Sequence, residues 1–388
     1  MIKLSSNITK IQFPPISEVR DWLSESTLRQ RSLIDLCQAV PDYPPPPELL
    51  EMMHGALRDP LIARYTPDEG LPEVRESVAR WYARRYLSGP SADEICLTIG
   101  ASQAFWLAMT LLCRGGDEVI IQSPAYFDHP MGLQALGVKP VFVPYDPQSP
   151  EPDPERLAKL LTPKTRALLL VTPSNPTGHQ LAPETIRRLY EFCVEQNIAL
   201  VLDETYNAFA DGVPHTLFID PDWSDTFIQI ASFGKTFSLT GFRAGVLVAG
   251  HEIVRQALKV QDSMTVCQPR LTQLAIQYGC DRLDQWVNDN ARMMRSRHDH
   301  FCQTFVQPDN RFQLVASGGF FAWIRHPWPQ LDSRQAARRL LDEADIVSLP
   351  GGAFGPDLEP YLRLAFGNIK REEIPEAVAR LVALSSQY

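Results

Sequence analysis

Residues 226–249, with the sequence TFIQIASFGKTFSLTGFRAGVLVA, place a single lysine, Lys235, between two apolar runs. The runs, Thr226 to Ala231 and Gly245 to Ala249, have the length and composition of buried strands. Between them lie small, hydroxylated or basic residues, which can bring N–H groups, hydroxyls and a guanidinium to one anion, most simply a phosphate. They are Ser232, Gly234, Lys235, Thr236, Ser238, Thr240, Gly241 and Arg243. A lysine between apolar strands and cations should have a lowered pKa, which makes its amine nucleophilic towards a carbonyl. The alternative is a solvated loop with an ordinary surface lysine.

Length and composition narrow the class of protein. A chain of 388 residues exceeds the size at which one hydrophobic core stops growing, which predicts two domains. A net charge of −9 argues against a general nucleic-acid binder. No apolar run approaches the ~20 residues that a membrane span requires. The first residues, MIKLSSNITKIQF, lack the apolar core of a signal peptide, so we expect a cytoplasmic protein without a membrane anchor.

The cysteines and histidines do not form a metal-binding pattern. The chain has seven cysteines, an odd number, and no Cys-x-x-Cys pair, which favours reduced thiols over disulfides or a zinc site. His298 and His300 are two residues apart and would not share a helical face. We therefore expect no metal site.

Strand and helix patterns alternate between about residues 50 and 280, which predicts an α/β domain with a mainly parallel sheet. The run 167–172 is almost purely apolar, as expected when helices cover both faces of such a sheet. From Arg311 onward the pattern changes to strands interleaved with helices 333–344 and 374–385. We predict an N-terminal arm and part of the small domain in residues 1–45, a large domain in 46–285 and a small α+β domain in 286–388.

Polar residues follow several of the predicted strands. Tyr126 follows strand 118–122, Asn175 follows strand 167–172, and Asp203 closes strand 198–202. Each has a structural explanation of its own: a packing residue, a turn residue and a helix cap. Parallel sheets bind ligands at the carboxyl ends of their strands, however, so these side chains together predict a site. Residues 99–103 are predicted as a tight turn between a strand and helix 104–112, a geometry that directs N–H groups at an anion.

Taken together, these motifs resemble the fold-type I aminotransferases that use pyridoxal phosphate, the class I/II or aspartate aminotransferase-like family. The resemblance extends from Leu33 to about Asn368 and rests on six motifs in the family's order. They include Ser232-Phe233-Gly234-Lys235, Asn175-Pro176-Thr177-Gly178 and the Gly-x-Arg-x-Gly of residues 241–245. The resemblance implies a large domain with a seven-stranded, mainly parallel sheet sandwiched by helices, and a smaller α+β domain.

The resemblance also implies how the cofactor is held. Lys235 would form a Schiff base with pyridoxal 5'-phosphate and act as base and then acid. Asp203 would keep the pyridine nitrogen protonated. The other residues implied in cofactor binding are Ala101, Ser102, Gln103, Ser232 and Arg243 at the phosphate, Tyr126, Asn175 and Tyr206 at the ring, and Tyr65 from a neighbouring subunit. Tyr206 is also implied as a catalytic residue. Gly234 stands where the family usually has a second hydroxyl.

A buried arginine marks the expected substrate site. Arg363 lies in the apolar strand Tyr361–Ala365, and a buried arginine needs a partner such as a carboxylate. In the resembled family the arginine at this place binds the substrate carboxylate, together with the residue equivalent to Asn175. Ala39 stands beside that carboxylate where the family usually has glycine.

The expected activity is transamination by a ping-pong mechanism, with an amino acid and a 2-keto acid as partners and a homodimer with shared active sites as the working unit. The alternative is an enzyme of the same fold that catalyses elimination, cyclisation or C–S or C–C cleavage, because these reactions share an α-carbanion. An aminotransferase-like regulator is disfavoured, since only about thirty residues precede the first matching strand. A nicotinamide-dependent dehydrogenase is rejected because Gly-x-Gly-x-x-Gly is missing. The motifs do not identify the amino donor or acceptor.

Overall fold

The structure is a computed structural model and describes residues 2–25 and 32–386. Its strands are β1 Ile34–Asp35, β2 Ile95–Ile99, β3 Glu118–Gln122, β4 Lys139–Val143, β5 Thr165–Val171, β6 Ala199–Asp203, β7 Phe227–Ala231, β8 Ala244–Val248, β9 Gln313–Gly318, β10 Phe321–Arg325, β11 Ile346–Val347, β12 Leu349–Pro350 and β13 Tyr361–Ala365. Its α-helices are α1 Ser6–Thr9, α2 Pro15–Glu25, α3 Pro47–Ala56, α4 Pro72–Tyr86, α5 Gly100–Leu112, α6 Asp128–Ala135, α7 Pro154–Ala158, α8 Pro183–Gln196, α9 Phe233–Thr236, α10 His251–Thr265, α11 Arg270–Arg282, α12 Asp284–Phe305, α13 Ser333–Ala344 and α14 Ile374–Ser385.

A seven-stranded sheet forms the centre of the larger part of the protein. Its strand order is β2-β8-β7-β6-β5-β3-β4. Strands β7, β6, β5, β3 and β4 pair in parallel, whereas β8 is antiparallel to both of its neighbours. The six strands other than β8 therefore end at the same edge of the sheet. The predicted mainly parallel α/β sheet is confirmed.

Apolar side chains of the central strands fill both faces of this sheet. In β5, Leu168 and Leu170 pack into one hydrophobic core, and Ala167 and Leu169 pack into the other. Successive residues of a strand point to opposite faces, so a strand covered on both sides must be apolar at nearly every position. This is why the run 167–172 lacks the polar alternation of a half-exposed strand.

A smaller α+β unit is built from the C-terminal part of the chain. Its four-stranded antiparallel sheet has the order β12-β13-β10-β9, and β11 pairs in parallel with β1 from the N-terminal part. The pairing of β1 agrees with the assignment of residues 1–45 partly to the small domain. Helix α12 crosses the expected boundary at residues 285 and 286 without a break. The exact domain limits remain a prediction.

Two local differences from the sequence prediction affect the site. The predicted tight turn 99–103 is instead the end of β2 followed by the first turn of α5, which begins at Gly100. A glycine with a φ of +73° allows the chain to turn directly from strand to helix, so no separate loop is needed. The second difference is at β6, which ends at Asp203 and not at the predicted residue 202. Within the described residues, no helix is long and apolar enough to cross a membrane.

We predict that Gly245→Ala destabilises the fold. A Cβ at Gly245 would lie 2.3 Å from the carbonyl carbon of Gly100 and 2.7 Å from the backbone nitrogen of Ala101, so β8 and the start of α5 would have to separate. Overpacking of this kind typically costs about 1–3 kcal/mol. The midpoint of urea unfolding should fall accordingly.

The matched control is Gly55→Ala in the last turn of α3, where the added Cβ would meet no heavy atom within 4 Å beyond the backbone of its own helix and its chain neighbours. Alanine has a higher helix propensity than glycine by up to ~1 kcal/mol, so this variant should not be destabilised. Equal midpoints for the two variants would contradict the close approach of β8 to α5.

Candidate active site

A cavity of about 640 Å³ lies at the edge where the parallel strands end, between the large sheet and Arg363 of the smaller unit. Most of the residues predicted from the sequence line it: Ala39, Ala101, Ser102, Tyr126, Asn175, Asp203, Tyr206, Ser232, Lys235, Arg243 and Arg363. Gln103 and Tyr65 do not. Residues more than 300 positions apart in the chain thus contribute to one cavity.

Lys235 lies in the short helix α9, directly after β7. Its Nζ donates a hydrogen bond of 2.7 Å to the carbonyl oxygen of Ala39. Burial, together with the positive charges of Arg243 and Arg363, lowers the pKa of Lys235 from 10.5 to about 7. A large fraction of the amine is therefore uncharged near neutral pH, and an uncharged amine can attack a carbonyl.

One end of the cavity is formed by the start of α5 and by Arg243. The backbone N–H of Gly100 donates to the carbonyl oxygen of Arg243 at 2.8 Å. A Cβ at Gly100 would lie 2.7 Å from Nη2 of Arg243, so the glycine gives the guanidinium the space it occupies. The free N–H groups of a helix N-terminus and a guanidinium beside it form a place for an anion. Ser232 lines the same cavity.

Two predicted residues lie elsewhere. The side chain of Gln103 accepts a hydrogen bond from the N–H of Ile99 at 2.6 Å and donates one to the hydroxyl of Thr265 at 2.9 Å. It therefore stabilises the start of α5, and only its backbone is available for the predicted role at the phosphate. Tyr65 is 79% exposed and lies outside the cavity lining.

Asp203 is held by two hydrogen-bonding partners. One carboxylate oxygen accepts a hydrogen bond of 3.0 Å from the N–H of Thr205, and the other lies 3.2 Å from Nε2 of His129. Both Asp203 and His129 are buried. The His129 ring stacks on Phe105 with a centroid distance of 4.8 Å. These contacts fix the orientation of the carboxylate in the cavity.

The sequence reasoning did not identify His129. It lies three residues after Tyr126, in the first turn of α6, where the two side chains can meet. Their rings are in edge contact at 5.3 Å. The spacing alone could have indicated this neighbourhood, but the pairing with Asp203 joins residues 74 positions apart and depends on the tertiary structure.

Arg363 and Asn175 form the other end of the cavity. The Nη1 of Arg363 donates to the side-chain oxygen of Asn175 at 3.1 Å, and Nη2 donates to the carbonyl oxygen of Cys37. The Nε of Arg363 is buried without a hydrogen-bond partner. Burial lowers the pKa of this arginine. A carboxylate is the ligand that would offset the cost of burying this charge.

Two tyrosines complete the walls. The hydroxyl of Tyr126 donates to Asp128 at 2.5 Å, and burial, with the negative charge of Asp128, raises the pKa of Tyr126. Tyr206 is in edge contact with Phe320 and Phe321 at centroid distances of 5.4 and 5.2 Å. Burial raises the pKa of Tyr206, so both hydroxyls remain protonated donors.

Known proteins resemble this chain in sequence and in fold. The sequence model of the aminotransferase class I and II family matches residues 31–381. The aromatic aminotransferase ISS1 of Arabidopsis thaliana is 27% identical over 97% of this chain and 95% of its own length. The aspartate aminotransferase of Pyrococcus abyssi is 29% identical over 94% of both chains. The structure of a Thermus thermophilus aspartate aminotransferase mutant superposes with a TM-score of 0.90 at 26% identity, covering 99% of this chain and 100% of the other.

The fold is that of the pyridoxal-phosphate-dependent transferases of fold type I. The chain belongs to the class I and II aminotransferase family. It is an aminotransferase and uses pyridoxal phosphate. The predicted recognition, fold class, enzyme class and cofactor are confirmed.

The residues of the cavity fit this cofactor. The depressed pKa of Lys235 suits an amine that bonds to an aldehyde. The start of α5 and Arg243 offer donors for a phosphate, and Gly100 keeps the space open between them. The carboxylate of Asp203 lies in the same cavity and can pair with a ring nitrogen. The two ends of the site therefore match a phosphate and a substrate carboxylate.

We predict that Lys235 in the cofactor-free protein titrates near pH 7. The amine is protonated below this pH and free above it, so the second-order rate constant of its acetylation by acetic anhydride should rise as the pH passes through 7 and level off well below 10.5, the ordinary pKa of lysine. Peptide mass spectrometry would follow the label on Lys235 alone. A midpoint above 9 would contradict the burial and the two neighbouring charges as the cause.

Arg243→Gln should move that midpoint upward, because it removes a positive charge that opposes protonation. The control is Arg255→Gln, which removes an exposed arginine of α10 paired with Glu252. It should leave the midpoint unchanged.

Proposed function

We propose that this aminotransferase moves an α-amino group between an amino acid and a 2-keto acid, with Lys235 as the residue that binds the cofactor and transfers the proton. The position of Lys235 supports this proposal. Its amine lies in one cavity with the anion site of Arg243 and the carboxylate site of Arg363. A substrate held at one end and a cofactor held at the other would meet at this amine.

Arg363 and Asn175 would hold the α-carboxylate of the substrate. The arginine is buried and rests near the rings of Phe321 and Phe354, at 5.4 and 5.6 Å from their centroids. This apolar setting strengthens an ion pair with a carboxylate. An ion pair with Arg363 would oppose the loss of the α-carboxylate as carbon dioxide, which supports transamination over decarboxylation.

Lys235 would remove the proton from the substrate α-carbon and later return one. Bound pyridoxal phosphate supplies an electron sink that weakens the α C–H bond. A base with a pKa of about 7 is suited to accept and donate a proton near neutral pH. The carbonyl of Ala39 accepts from the same amine, and this contact fixes the direction of Nζ.

Asp203 would pair with the ring nitrogen of the cofactor, and His129 would orient it. The N–H of Thr205 donates to one oxygen of the Asp203 carboxylate, and the His129 ring contacts the other. Such an arrangement restricts rotation of the carboxylate and keeps it in the cavity. Tyr206 and Asn175 would donate hydrogen bonds to the ring oxygen.

Gly234 would contribute no side-chain contact to the phosphate. A Cβ at this position would lie 3.2 Å from Oγ of Ser232 and 3.3 Å from Cα of Thr240, so a hydroxyl residue would require these neighbours to shift. The proposed phosphate site therefore depends on Ser232, Arg243 and the start of α5.

Elimination, cyclisation and C–S or C–C cleavage are not favoured. The family and the named relatives are aminotransferases. The residues assigned above hold the α-carboxylate and move one proton, which is the set of steps that transamination needs.

The half-reaction tests this proposal. Incubation of the holoenzyme with an amino acid and no keto acid should convert the cofactor stoichiometrically to its amine form and release one keto acid per site. Addition of a keto acid should reverse the spectral change. Ammonia or carbon dioxide that accumulates over many turnovers without keto acid would reject transamination. Lys235→Ala is the control, since it removes the proposed base and should abolish both changes.

We also propose a homodimer in which Tyr65 serves the phosphate of the neighbouring subunit. Tyr65 is exposed, as are the apolar side chains of Leu61, Phe242 and Met264. Nη2 of Arg270 donates to the carbonyl of Tyr65 at 3.4 Å, which keeps this tyrosine beside α11. Phe242 directly precedes Arg243, so this exposed ring adjoins the proposed phosphate site. A second copy could cover these exposed side chains and complete the site.

Subunit mixing tests the shared site. Tyr65→Ala and Lys235→Ala proteins should each be weakly active or inactive, and random re-pairing of their subunits should restore about a quarter of the native sites. The measurement is specific activity against time after mixing, with subunit exchange followed by mass. Exchange without recovered activity would contradict a tyrosine shared between subunits.

We further propose that the enzyme works in the cytoplasm. Its seven cysteines are all unpaired, as in proteins kept in a reducing compartment.

A further inference from the structure

We propose that the enzyme acts on amino acids with large uncharged side chains and discriminates against dicarboxylic ones. This inference rests on the proposed function, because it concerns the part of the same cavity that neither the cofactor nor the α-carboxylate would fill.

The position of this part follows from the two ends already assigned. The phosphate end is at Ser102 and Arg243, and the carboxylate end is at Asn175 and Arg363. The remaining wall comes from residues near and in α2, from the second turn of α5 and from α6. Its apolar residues are Ile11, Ile16, Trp106, Met131 and Ala135. We call these five residues the apolar wall. When the α-carboxylate of a substrate is bound at Arg363 and its α-carbon lies at Lys235, its side chain would contact the apolar wall.

The apolar wall favours a large side chain. It brings an indole, a thioether and two branched aliphatic groups to one cavity. Their apolar surface is removed from water only when an apolar side chain of the substrate covers it. A small side chain, such as that of alanine, would leave much of this surface in contact with water. A single methylene in such a pocket changes kcat/KM by about tenfold or more.

The charges in the cavity disfavour a second carboxylate. Among the described residues that line it, the lysine and arginine side chains are those of Lys235, Arg243 and Arg363, each with a role elsewhere in the reaction. The carboxylates that line the cavity are those of Asp203, which is assigned to the cofactor, and Asp128. The carboxylate of Asp128 accepts a hydrogen bond from the Tyr126 hydroxyl at 2.5 Å. A distal carboxylate would lose its water without gaining a cation and would be repelled by Asp128.

The first experiment compares amino donors in the half-reaction of the holoenzyme. We expect kcat/KM for phenylalanine, leucine and methionine to exceed that for aspartate and glutamate at least tenfold, with alanine and lysine also below the first group. If aspartate, glutamate or lysine reacts best, the inference fails while the proposed function stands. If no amino acid converts the cofactor, the proposed function fails.

A binding measurement tests the pocket without turnover. 3-Phenylpropanoate and succinate both carry a carboxylate for Arg363 but lack an amino group to react. Titration calorimetry of the holoenzyme should give 3-phenylpropanoate a dissociation constant at least tenfold lower than that of succinate. Equal or tighter binding of succinate would overturn the inference, including the case in which a partner subunit supplies a cation.

Two variants connect the preference to named residues. Trp106→Ala should lower the ratio of kcat/KM for phenylalanine to that for alanine by about tenfold or more. Asp128→Asn should raise the ratio for aspartate to phenylalanine, because a like charge is removed. Trp286→Ala, in which a half-buried tryptophan of α12 outside the cavity lining is truncated, is the control and should leave both ratios unchanged. Ratios that do not move in the first two variants would contradict the assignment.

Discussion

The site depends on the burial of one amine, that of Lys235, close to two guanidinium groups. Lys235 is placed there because the short helix α9 follows the end of β7 at Ala231, and Arg243 and Arg363 line the same cavity. Burial opposes protonation of the amine most strongly and so lowers its pKa, and the two arginines lower the pKa further. An uncharged amine near neutral pH can bond to an aldehyde and accept a proton. The rest of the architecture serves to hold these three side chains at fixed positions.

The two structural units are joined at this same place. Arg363 comes from β13 of the smaller sheet, but it bonds Asn175 after β5 and the carbonyl of Cys37 near the N-terminal arm. Arg297 of α12 holds Asp42 in an ion pair of 2.9 Å, which anchors the segment that carries Ala39. A buried arginine is costly unless its donors are used. The contacts of these two arginines therefore also fix Arg363 beside Asn175 and hold the segment that carries Ala39.

Much of the fold and of the site could be predicted from local sequence. Apolar runs of strand length and amphipathic helices predicted the α/β sheet, because burial on two faces leaves a clear pattern. Lys235, Asn175, Asp203 and Arg363 stood out as polar residues beside or inside apolar strands. The predicted strand limits were off by one residue at β6 and β8 and by up to two residues at β5, since hydrogen bonding across the sheet, and not composition, determines where a strand ends.

Contacts between distant segments were beyond local reasoning. The amino-acid order by itself determined the strands, the position of Lys235 after an apolar strand and the family pattern, because each depends on neighbours within a few residues. Only the tertiary structure revealed that His129 pairs with Asp203, that the Gln103 side chain bonds Ile99 and Thr265, and that Ile11, Trp106 and Met131 share one wall. These groups meet because helices α5 and α6 pack at the edge of the sheet. No pattern within a single segment records which side chains such packing brings together.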